Sequence, residues 1–529
     1  MGNPRRQSFL SGAMVLTATI AVTKVIGALY KIPLGNLLDS EGMAHFYAAY
    51  NIYRLLLTLS TAGLPLAMSR MVSEAEALGR ENQKQRIFRV SLGLFLLLGA
   101  VCSAGMYLLS APLSDLLHDA PAHTAVQVLA PAVFFVCLMA PIRGYTQGQG
   151  NMRPTAASEL VESLSKAVIG YLLAWWLLRR GLPRHIAAAG AIGGVTVATA
   201  LAFLALALYL LTHQGRRPSR DIPESRRSIL RRLLRIGIPI TAGACGMSII
   251  TLLDTSLVLG TLQRSLGFSQ AAAAALYGEY TYGVNLFTLP ASLISPMTIS
   301  LIPAISAARA RNDLSAARRH TSAAFRFTAL LALPLGIGLS ALARPILDLL
   351  YPEIPQTAAA AASHLTVLGI ASIFVCLMTL TGGILQSHGR ERIPLWTLLF
   401  GGLVKILSNY LLVGDPAIGI RGAAYSTLLC YAVIAALNLF AVARVVAERP
   451  GYVSVFARPL LASLVMAAGA RAVFGLLGRV MSARPAALLA ALAAVAIYAV
   501  LVPAMGVIRR EDLISLPKGD KFADFFHIR

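Results

Sequence analysis

The pentapeptide Phe135-Val-Cys-Leu-Met139 occurs twice in this sequence, the second time as Phe374-Val-Cys-Leu-Met378, at an offset of 239 residues (374 − 135). Apolar residues coincide easily by chance in a hydrophobic chain, whereas glycine, glutamine, lysine and tyrosine do not. The same offset aligns several residues of these kinds: Gly144 with Gly383, Gln147 with Gln386, Gly150 with Gly389, Lys166 with Lys405, and Tyr171-Leu-Leu173 with Tyr410-Leu-Leu412. The matches therefore predict an internal duplication of the chain.

The composition indicates that the solvent of this chain is a lipid bilayer. Of its 529 residues, 57% are hydrophobic and 13% are charged, and the mean hydropathy is +0.69. Soluble proteins carry about 25% charged residues. A helix needs roughly 20 apolar residues to cross the hydrocarbon layer, so fourteen helices would use about 280 residues and leave short loops. We predict an all-α polytopic membrane protein of about fourteen transmembrane helices, with no separate soluble domain.

Apolar segments bounded by proline, glycine or charged clusters define the expected spans. The first eight lie near 9–32, 44–68, 88–110, 124–145, 157–179, 185–212, 235–261 and 272–303, and the other six near 321–343, 358–386, 394–413, 419–443, 455–476 and 485–508. The duplication carries spans four and five onto spans ten and eleven. Because this shift of six helices is even, we predict a parallel repeat of two lobes, with a substrate site between them near the membrane midplane.

The duplication and the most basic loop divide the chain into five predicted parts. These are an N-lobe of spans one to six (1–215), a basic cytoplasmic interlobe loop (216–235), a C-lobe of spans seven to twelve (236–446), spans thirteen and fourteen (447–510), and a cytoplasmic tail (511–529).

The net charge of +23 comes mainly from loops. The basic clusters are Arg5 and Arg6; Arg70, Arg80, Lys84, Arg86 and Arg89; Arg216, Arg217, Arg220, Arg226, Arg227, Arg231, Arg232 and Arg235; Arg309, Arg311, Arg318 and Arg319; Arg390 and Arg392; Arg444 and Arg449; and Arg509, Arg510, Lys518 and Lys521. Fourteen spans put all of them on one face, which the positive-inside rule makes cytoplasmic, together with both termini. Arg179, Arg180 and Arg184 surround a loop of the opposite face and are the exception.

Sequence signatures of enzymes and of cofactor sites are missing. The nine histidines are scattered, and the sequence contains no HExxH, no CxxC and no phosphate-binding GxxxxGK[ST] loop. We therefore expect no catalysis, no cofactor and no bound metal. Because the basic residues flank membrane spans, we also expect no nucleic-acid partner. An ion gradient or the membrane potential would have to drive any transport.

Ionisable residues inside the spans are functional candidates, because a charge near the bilayer centre costs about 2.5–3.5 kcal/mol on insertion scales. Lys31 and Arg143 could simply extend their charges to the membrane surface from helix ends. Glu162 and Lys166 could form a self-neutralising i,i+4 pair. The excess of cations nevertheless predicts an interior cavity that suits an anionic substrate such as a diphosphate. The candidates in the first lobe are Lys24, Lys31, Arg54, Arg143, Glu159, Glu162 and Lys166.

The stretch Arg143-Gly-Tyr-Thr-Gln-Gly-Gln-Gly-Asn-Met-Arg-Pro-Thr-Ala-Ala-Ser158, running on to Glu162, resembles the stage V sporulation protein B group of membrane proteins. That group belongs with the MurJ-like lipid II flippases in the MOP exporter superfamily. Tyr30-Lys-Ile-Pro33, Glu41-Gly-Met43 and Leu59-Ser-Thr-Ala-Gly-Leu-Pro65 resemble its first two helices. The resemblance covers nearly the whole chain.

The resemblance implies a two-lobed, V-shaped, fourteen-helix flippase of a bacterial plasma membrane. In such proteins a cationic central cavity binds the pyrophosphate-sugar head group of a polyprenyl-linked precursor and alternates its access, for peptidoglycan or spore cortex synthesis. Lys24 matches the position of a functional arginine of the first helix. Lys31 and Arg54 lie near two further basic positions without aligning cleanly. We expect a monomer surrounded by membrane lipids.

Two positions depart from the pattern of the MurJ-like proteins. In the eighth helix they place an arginine after an acidic residue, whereas this sequence has Glu279 followed by Tyr280. The second lobe would therefore bind the head group differently. Lysine at position 24 also lacks the bidentate phosphate recognition of arginine.

Asp254 lies in the middle of the seventh span, where an isolated carboxylate needs a partner or a proton. The resemblance places it near a sodium site of some MurJ-like proteins, which polar residues of the eleventh helix complete. Here those residues correspond to Lys405 and Asn409. We hypothesise an Asp254–Lys405 ion pair in place of sodium. Alternatively, Lys405 faces the cavity as the repeat-mate of Lys166, and Asp254 is protonated or bonded to a hydroxyl group.

Three other functions compete with a flippase for a cell-wall precursor. A flippase for another lipid-linked oligosaccharide would need the same cations. A cation-coupled drug exporter of the same superfamily would need acidic residues in its cavity. A membrane glycosyltransferase or ligase would need a catalytic carboxylate in a large external loop, and no predicted external loop is large enough.

Overall fold

The computed structural model describes residues 9–213, 219–310, 313–446 and 451–506. The predicted cytoplasmic tail 511–529 lies outside these ranges, as do some members of the predicted basic clusters. Those members are Arg5, Arg6, Arg216, Arg217, Arg311, Arg449, Arg509, Arg510, Lys518 and Lys521.

The described part of the chain is α-helical, which confirms the predicted fold class. Besides one short 3-10 helix, Ala120–Ala122, its helices are α1 (Phe9–Thr61), α2 (Gly63–Ala77), α3 (Glu81–Leu108), α4 (Ser110–Leu116), α5 (His123–Gly148), α6 (Arg153–Arg179), α7 (Arg184–His213), α8 (Arg226–Arg264), α9 (Gln270–Ala310), α10 (Leu314–Ala341), α11 (Ala343–Leu350), α12 (Pro355–Ser387), α13 (Arg392–Val413), α14 (Arg421–Val445), α15 (Tyr452–Leu477) and α16 (Ala483–Ala504).

Twelve helices among the described residues are long and apolar enough to cross a membrane. The chain is therefore a multi-pass membrane protein. The predicted number of fourteen spans is not confirmed. The segment Val22–Ala77 is one of the twelve, although the sequence predicts two spans within it. The predicted eighth span lies in α9, which is not among the twelve.

A single residue interrupts the first helix. Asp39 has φ 61° and ψ −175°, so α1 consists of two helical arms that meet at this residue. The Asp39 side chain accepts a hydrogen bond from the backbone N–H of Ser40 over 2.6 Å and pairs with Arg184 over 2.6 Å. A left-handed backbone at a residue other than glycine persists only where such contacts hold it. The two arms carry the first two predicted spans.

The chain divides into two compact units, one ending at Gly278 and the other beginning at Glu279. This boundary lies inside α9, beyond the basic loop in which the sequence places the boundary between the lobes. In the first unit, α8 therefore packs with α1 and α2. The predicted lobes rest on the duplication and not on packing, and they stay a prediction.

Helices of the first unit approach closely where small residues meet. A Cβ atom added at Gly194 of α7 would lie 2.2 Å from the Cα atom of Gly170 of α6, so the two backbones touch there. Gly63 of α2 faces Gly237 of α8, whose carbonyl oxygen would lie 2.1 Å from an added Cβ atom. Glycine permits such approaches between membrane helices, where dispersion contacts replace the hydrophobic effect as the driving force.

The second unit has an apolar core between α10, α12, α14 and α15. Phe325, Leu333 and Leu380 are buried in it together with Ile384 and Leu385. Gly336 of α10 lies against α12, where an added Cβ atom would come within 2.4 Å of Ile373. These contacts are the close packing that a bundle of membrane helices requires.

The turns after α5 and α12 are alike, as the duplication predicts. Gly150 has φ 78°, and Gly389, the equivalent residue of the second repeat, has φ 69°. Each glycine N–H donates to the carbonyl oxygen of the residue three positions earlier over 2.9 Å, and the next residue donates to the residue five positions earlier over 2.9 Å. These are helix C-caps with a left-handed glycine, which satisfy the last carbonyl groups of the helix. They direct α6 and α13 away from α5 and α12 in the same local manner.

Candidate functional site

Basic side chains of α1 and α6 lie together in the first unit. Lys24 and Lys31 are seven residues apart on the first arm of α1, and Arg54 is on the second arm. Helix α6 packs on the first arm, where Ser163 Oγ donates to the carbonyl oxygen of Thr23 over 3.2 Å. This packing brings Lys31 close enough to Lys166 and Arg54 for their like charges to repel each other. Lys24 and Arg54 repel each other in the same way.

No carboxylate of the described residues lies within ion-pair distance of Lys24, Lys31, Arg54 or Lys166. Lys24 and Arg54 are exposed, and the other two are partly buried. Lys31 has an aromatic neighbour, because its Nζ atom lies 5.0 Å from the ring centroid of Tyr47. Below, these four residues are called the cation cluster. A group of uncompensated cations of this kind is electrostatically suited to bind an anion.

Arg143 is separate from the cation cluster, because it is already paired. Its Nη2 atom lies 3.2 Å from Glu162 Oε2, and its Nε donates to Ser158 Oγ over 3.1 Å. The alternative in which Glu162 pairs with Lys166 is therefore wrong, since Glu162 reaches across to α5 instead. The charge of Arg143 also acts on Glu159, which precedes Glu162 by one turn of α6. Of the predicted site residues, Arg143, Glu159 and Glu162 thus form a group of one basic and two acidic side chains.

The remaining predicted residues are buried or partly buried. Asp254 is a buried residue of α8 in the first unit. Lys405 and Asn409 are buried one turn apart on α13 in the second unit, and Asn409 Oδ1 accepts a hydrogen bond from Ser426. Glu279 is partly buried on α9. The hypothesised pair of Asp254 with Lys405 stays a prediction.

A buried polar group in the first unit could not be predicted from the sequence. His45 Nδ1 lies 2.7 Å and 2.9 Å from the two carboxylate oxygens of Asp119. The side chains of both residues are almost fully buried. The rings of His45 and His185 are 6.4 Å apart, and the charges of Asp119, Glu41 and His123 act on His185. The histidines are thus not all scattered. Their grouping depends on contacts between three helices, for which the sequence contains no local signal.

Two family models match the chain. The model described as "Polysaccharide biosynthesis protein" matches residues 9–309, more than half of the sequence. The model described as "MatE" matches residues 239–411.

Relatives and a solved structure agree with these matches. The chain is 24% identical to stage V sporulation protein B of Bacillus subtilis, over 83% of this chain and 84% of that protein. It is 23% identical to the lipid II flippase MurJ of the same organism, over 80% of this chain and 82% of that protein. The fold is similar to a structure of lipid II flippase MurJ in an inward closed conformation. The TM-score is 0.69, with 14% identity over 95% of this chain and all of that one. The chain therefore belongs to the polysaccharide biosynthesis protein family.

Proposed function

We propose that this protein is a flippase that moves a polyprenyl-diphosphate-linked cell-wall precursor, similar to lipid II, from the cytoplasmic to the outer leaflet. The observation that carries the proposal is the cation cluster, whose four basic side chains have no carboxylate partner among the described residues. Cations held this close cost free energy, and a diphosphate between them would offset that cost. Charge-assisted hydrogen bonds to phosphate oxygens are about twice as strong as those between neutral groups.

The relatives support the same substrate class. The two Bacillus subtilis proteins are named as a sporulation protein and a lipid II flippase. Peptidoglycan or spore cortex synthesis is therefore the setting that we propose, in a bacterial plasma membrane with both termini cytoplasmic. The protein would act by alternating access, as a monomer among membrane lipids, without covalent chemistry and without a cofactor. An ion gradient or the membrane potential would drive it.

A flippase for another lipid-linked oligosaccharide is the second candidate function. The cation cluster would bind the diphosphate of either substrate, and it does not distinguish one sugar from another. A cation-coupled drug exporter fits less well, although the "MatE" model matches part of the chain. An exporter of that kind needs acidic side chains that bind a cation, and the basic side chains of the cation cluster would repel one.

The test is rescue of a bacterium depleted of its own lipid II flippase. We expect this chain to restore growth and to make lipid II accessible to a reagent added outside the cell. A strain depleted of an oligosaccharide flippase, tested in parallel, distinguishes the second candidate. Arg179→Ala is a control substitution, because Arg179 is exposed and lies over the ring of Trp175, with 4.2 Å from its Cζ atom to the ring centroid. If the protein inserts at normal levels but lipid II stays inaccessible, the proposed substrate is wrong.

A further inference from the structure

A short segment of the first unit holds the end of α8. Residues 116–119, here called the His118 turn, connect α4 to the 3-10 helix. Gln263 Nε2 donates to the carbonyl oxygen of His118 over 2.7 Å, and Ser256 Oγ donates to that of Leu116 over 2.5 Å. Helix α8 begins at the basic loop, so these contacts lie at its opposite end. This end of α8 therefore docks on the His118 turn.

The His118 turn also contacts α1. The two oxygens of Asp119 lie within hydrogen-bond distance of His45 Nδ1, and Asp119 has no exposed surface. A carboxylate buried so completely needs a counter-charge or a proton, and breaking such a contact is costly. The turn is thus bonded to α1 through Asp119 and to α8 through the carbonyl groups of Leu116 and His118.

The imidazole ring of His118 lies at the centre of the docking contact. Its Cε1 and Nδ1 atoms would lie only 2.9 Å and 3.1 Å from a Cβ atom added at Gly260 of α8. The backbone of His118 has φ 57°, a conformation that is uncommon for residues other than glycine. Both ring nitrogens are buried, and neither has a hydrogen-bond partner among the described residues. A side chain at position 260 would therefore force this ring to shift.

The docked ring fits in its neutral form. Burial and the nearby charge of Arg264 lower the pKa of His118, because neither the surroundings nor a partner would stabilise an imidazolium ion there. A ring freed into water would behave as an ordinary histidine, which gains its proton near pH 6.5. The proton is therefore bound more tightly by the undocked state than by the docked one.

We propose that His118 is a proton-binding site and that a proton taken up there releases the end of α8 from the His118 turn. The positive-inside rule places this end of the protein outside the cytoplasm, so the proton would come from the external solution. The proposal rests on the proposed flippase only for its purpose, which is to couple an external proton to a change in access. Docking is strongest above about pH 6.5 and weakens as the pH falls below it, because the undocked ring gains the proton more readily than the docked one.

Other charged and titratable groups near the site come from every element packed around it. They are Arg264 on α8, Asp115 on α4, Asp119 before the 3-10 helix, His123 on α5, Glu41 and His45 on α1, and Arg184 and His185 on α7. Arg264 disfavours a proton on His118. His45 contacts the carboxylate of Asp119. The response assigned to His118 must therefore be separated from those of its histidine neighbours by substitution.

The test measures how accessible α8 is, in the full-length protein in lipid nanodiscs. Cysteine introduced as Ser256→Cys lies in the docking contact, whereas Ser265→Cys lies at an exposed position one residue beyond α8. Both are labelled with a hydrophilic maleimide, and peptide mass spectrometry reads each site without removal of the native cysteines. The labelling rate at position 256 is divided by the labelling rate at position 265. This ratio cancels the effect of pH on the ionisation of the thiol. We expect the ratio to rise between pH 7.5 and 5.5, by at most about tenfold for a single site of pKa 6.5.

Three variants decide whether His118 causes the rise. His118→Asn should abolish it, because asparagine tolerates the left-handed backbone but does not titrate. His123→Asn is the matched control and should keep the rise, since this ring is exposed and five residues away. Gly260→Ala should displace the ring and give a high ratio at both pH values. A ratio that does not change with pH, or a rise that survives in His118→Asn, would overturn the proposal. Neither result depends on transport, so the flippase function could still hold.

Discussion

At the scale of single residues, Lys24 is the member of the cation cluster with the simplest test. It is exposed, it has no carboxylate partner among the described residues, and it repels Arg54. We expect Lys24→Ala to abolish flippase activity and Lys24→Arg to retain it, because the substrate needs a positive charge at this position. Complementation at equal expression measures the effect. If Lys24→Ala complements as well as the wild type, the residue has only a structural role.

The pair of Arg143 and Glu162 gives a second prediction, about stability. The two side chains are 16% and 23% exposed, so solvent screens the pair only in part. We expect Glu162→Gln to lower the free energy of unfolding by about 1–3 kcal/mol, because it leaves the guanidinium group without its counter-charge. The double variant with Arg143→Gln should recover part of that loss. Thermal unfolding in one detergent measures both, and equal, additive losses would show that the two side chains do not interact.

Some features of these residues could be predicted from the sequence, and others could not. The cation cluster could be predicted, because lysine and arginine inside an apolar segment are visible in the sequence. The partner of Glu162 could not, because Lys166 satisfies the i,i+4 rule equally well and only the packing of α5 on α6 selects Arg143. The contact of His45 with Asp119 spans 74 residues and has no periodic signal.

At the scale of elements, the long apolar helices could be predicted and the short ones could not. The predicted spans 124–145 and 394–413 agree closely with α5 and α13. The short helices α4 and α11 lie in predicted loops, because seven or eight residues are too few for a recognisable apolar period. Helix α1 continues through Pro33 to Asp39, so the expected loop between the first two spans is a single left-handed residue.

The paired turns after α5 and α12 give an element-scale prediction. Gly150 and Gly389 have positive φ, which costs other residues roughly 1–2 kcal/mol. We expect Gly150→Ala and Gly389→Ala each to lower stability by about that amount. Gly93→Ala is the control, because Gly93 is exposed inside α3 and a Cβ atom there would meet no atom within 4 Å. Thermal unfolding midpoints test this, and a midpoint unchanged at Gly150 would contradict the role given to these turns.

At the scale of the whole molecule, composition sufficed to predict a multi-pass membrane protein, whereas the number of spans did not follow from it. Topology can be tested directly. We expect a reporter fused after Arg529 to be active only in the cytoplasm, because the positive-inside rule puts the basic clusters there. The same reporter fused within the loop at Gly181 should be active only on the other side. A C-terminal reporter active outside the cytoplasm would overturn both the even span count and the lobe assignment.

The last prediction concerns the hypothesised pair of Asp254, in the first unit, with Lys405, in the second. Each side chain is 7% exposed, and a charge buried to this extent requires compensation. Removing one partner of a buried ion pair costs about 3–5 kcal/mol, whereas removing both can be nearly neutral. We therefore expect Asp254→Asn and Lys405→Met each to impair folding or transport and the double variant to recover, as measured by a double-mutant cycle.

Two results would contradict this pair, and each favours a different arrangement. Purely additive losses would mean that Asp254 is protonated or bonded to a hydroxyl group, and that Lys405 acts separately as the repeat-mate of Lys166. Transport that increases with sodium concentration in reconstituted vesicles would mean that Asp254 binds sodium. A lysine ammonium group beside the carboxylate would repel that ion, so sodium dependence and the pair exclude each other. Recovery in the double variant without sodium dependence would show that a side chain of this protein supplies the positive charge at Asp254.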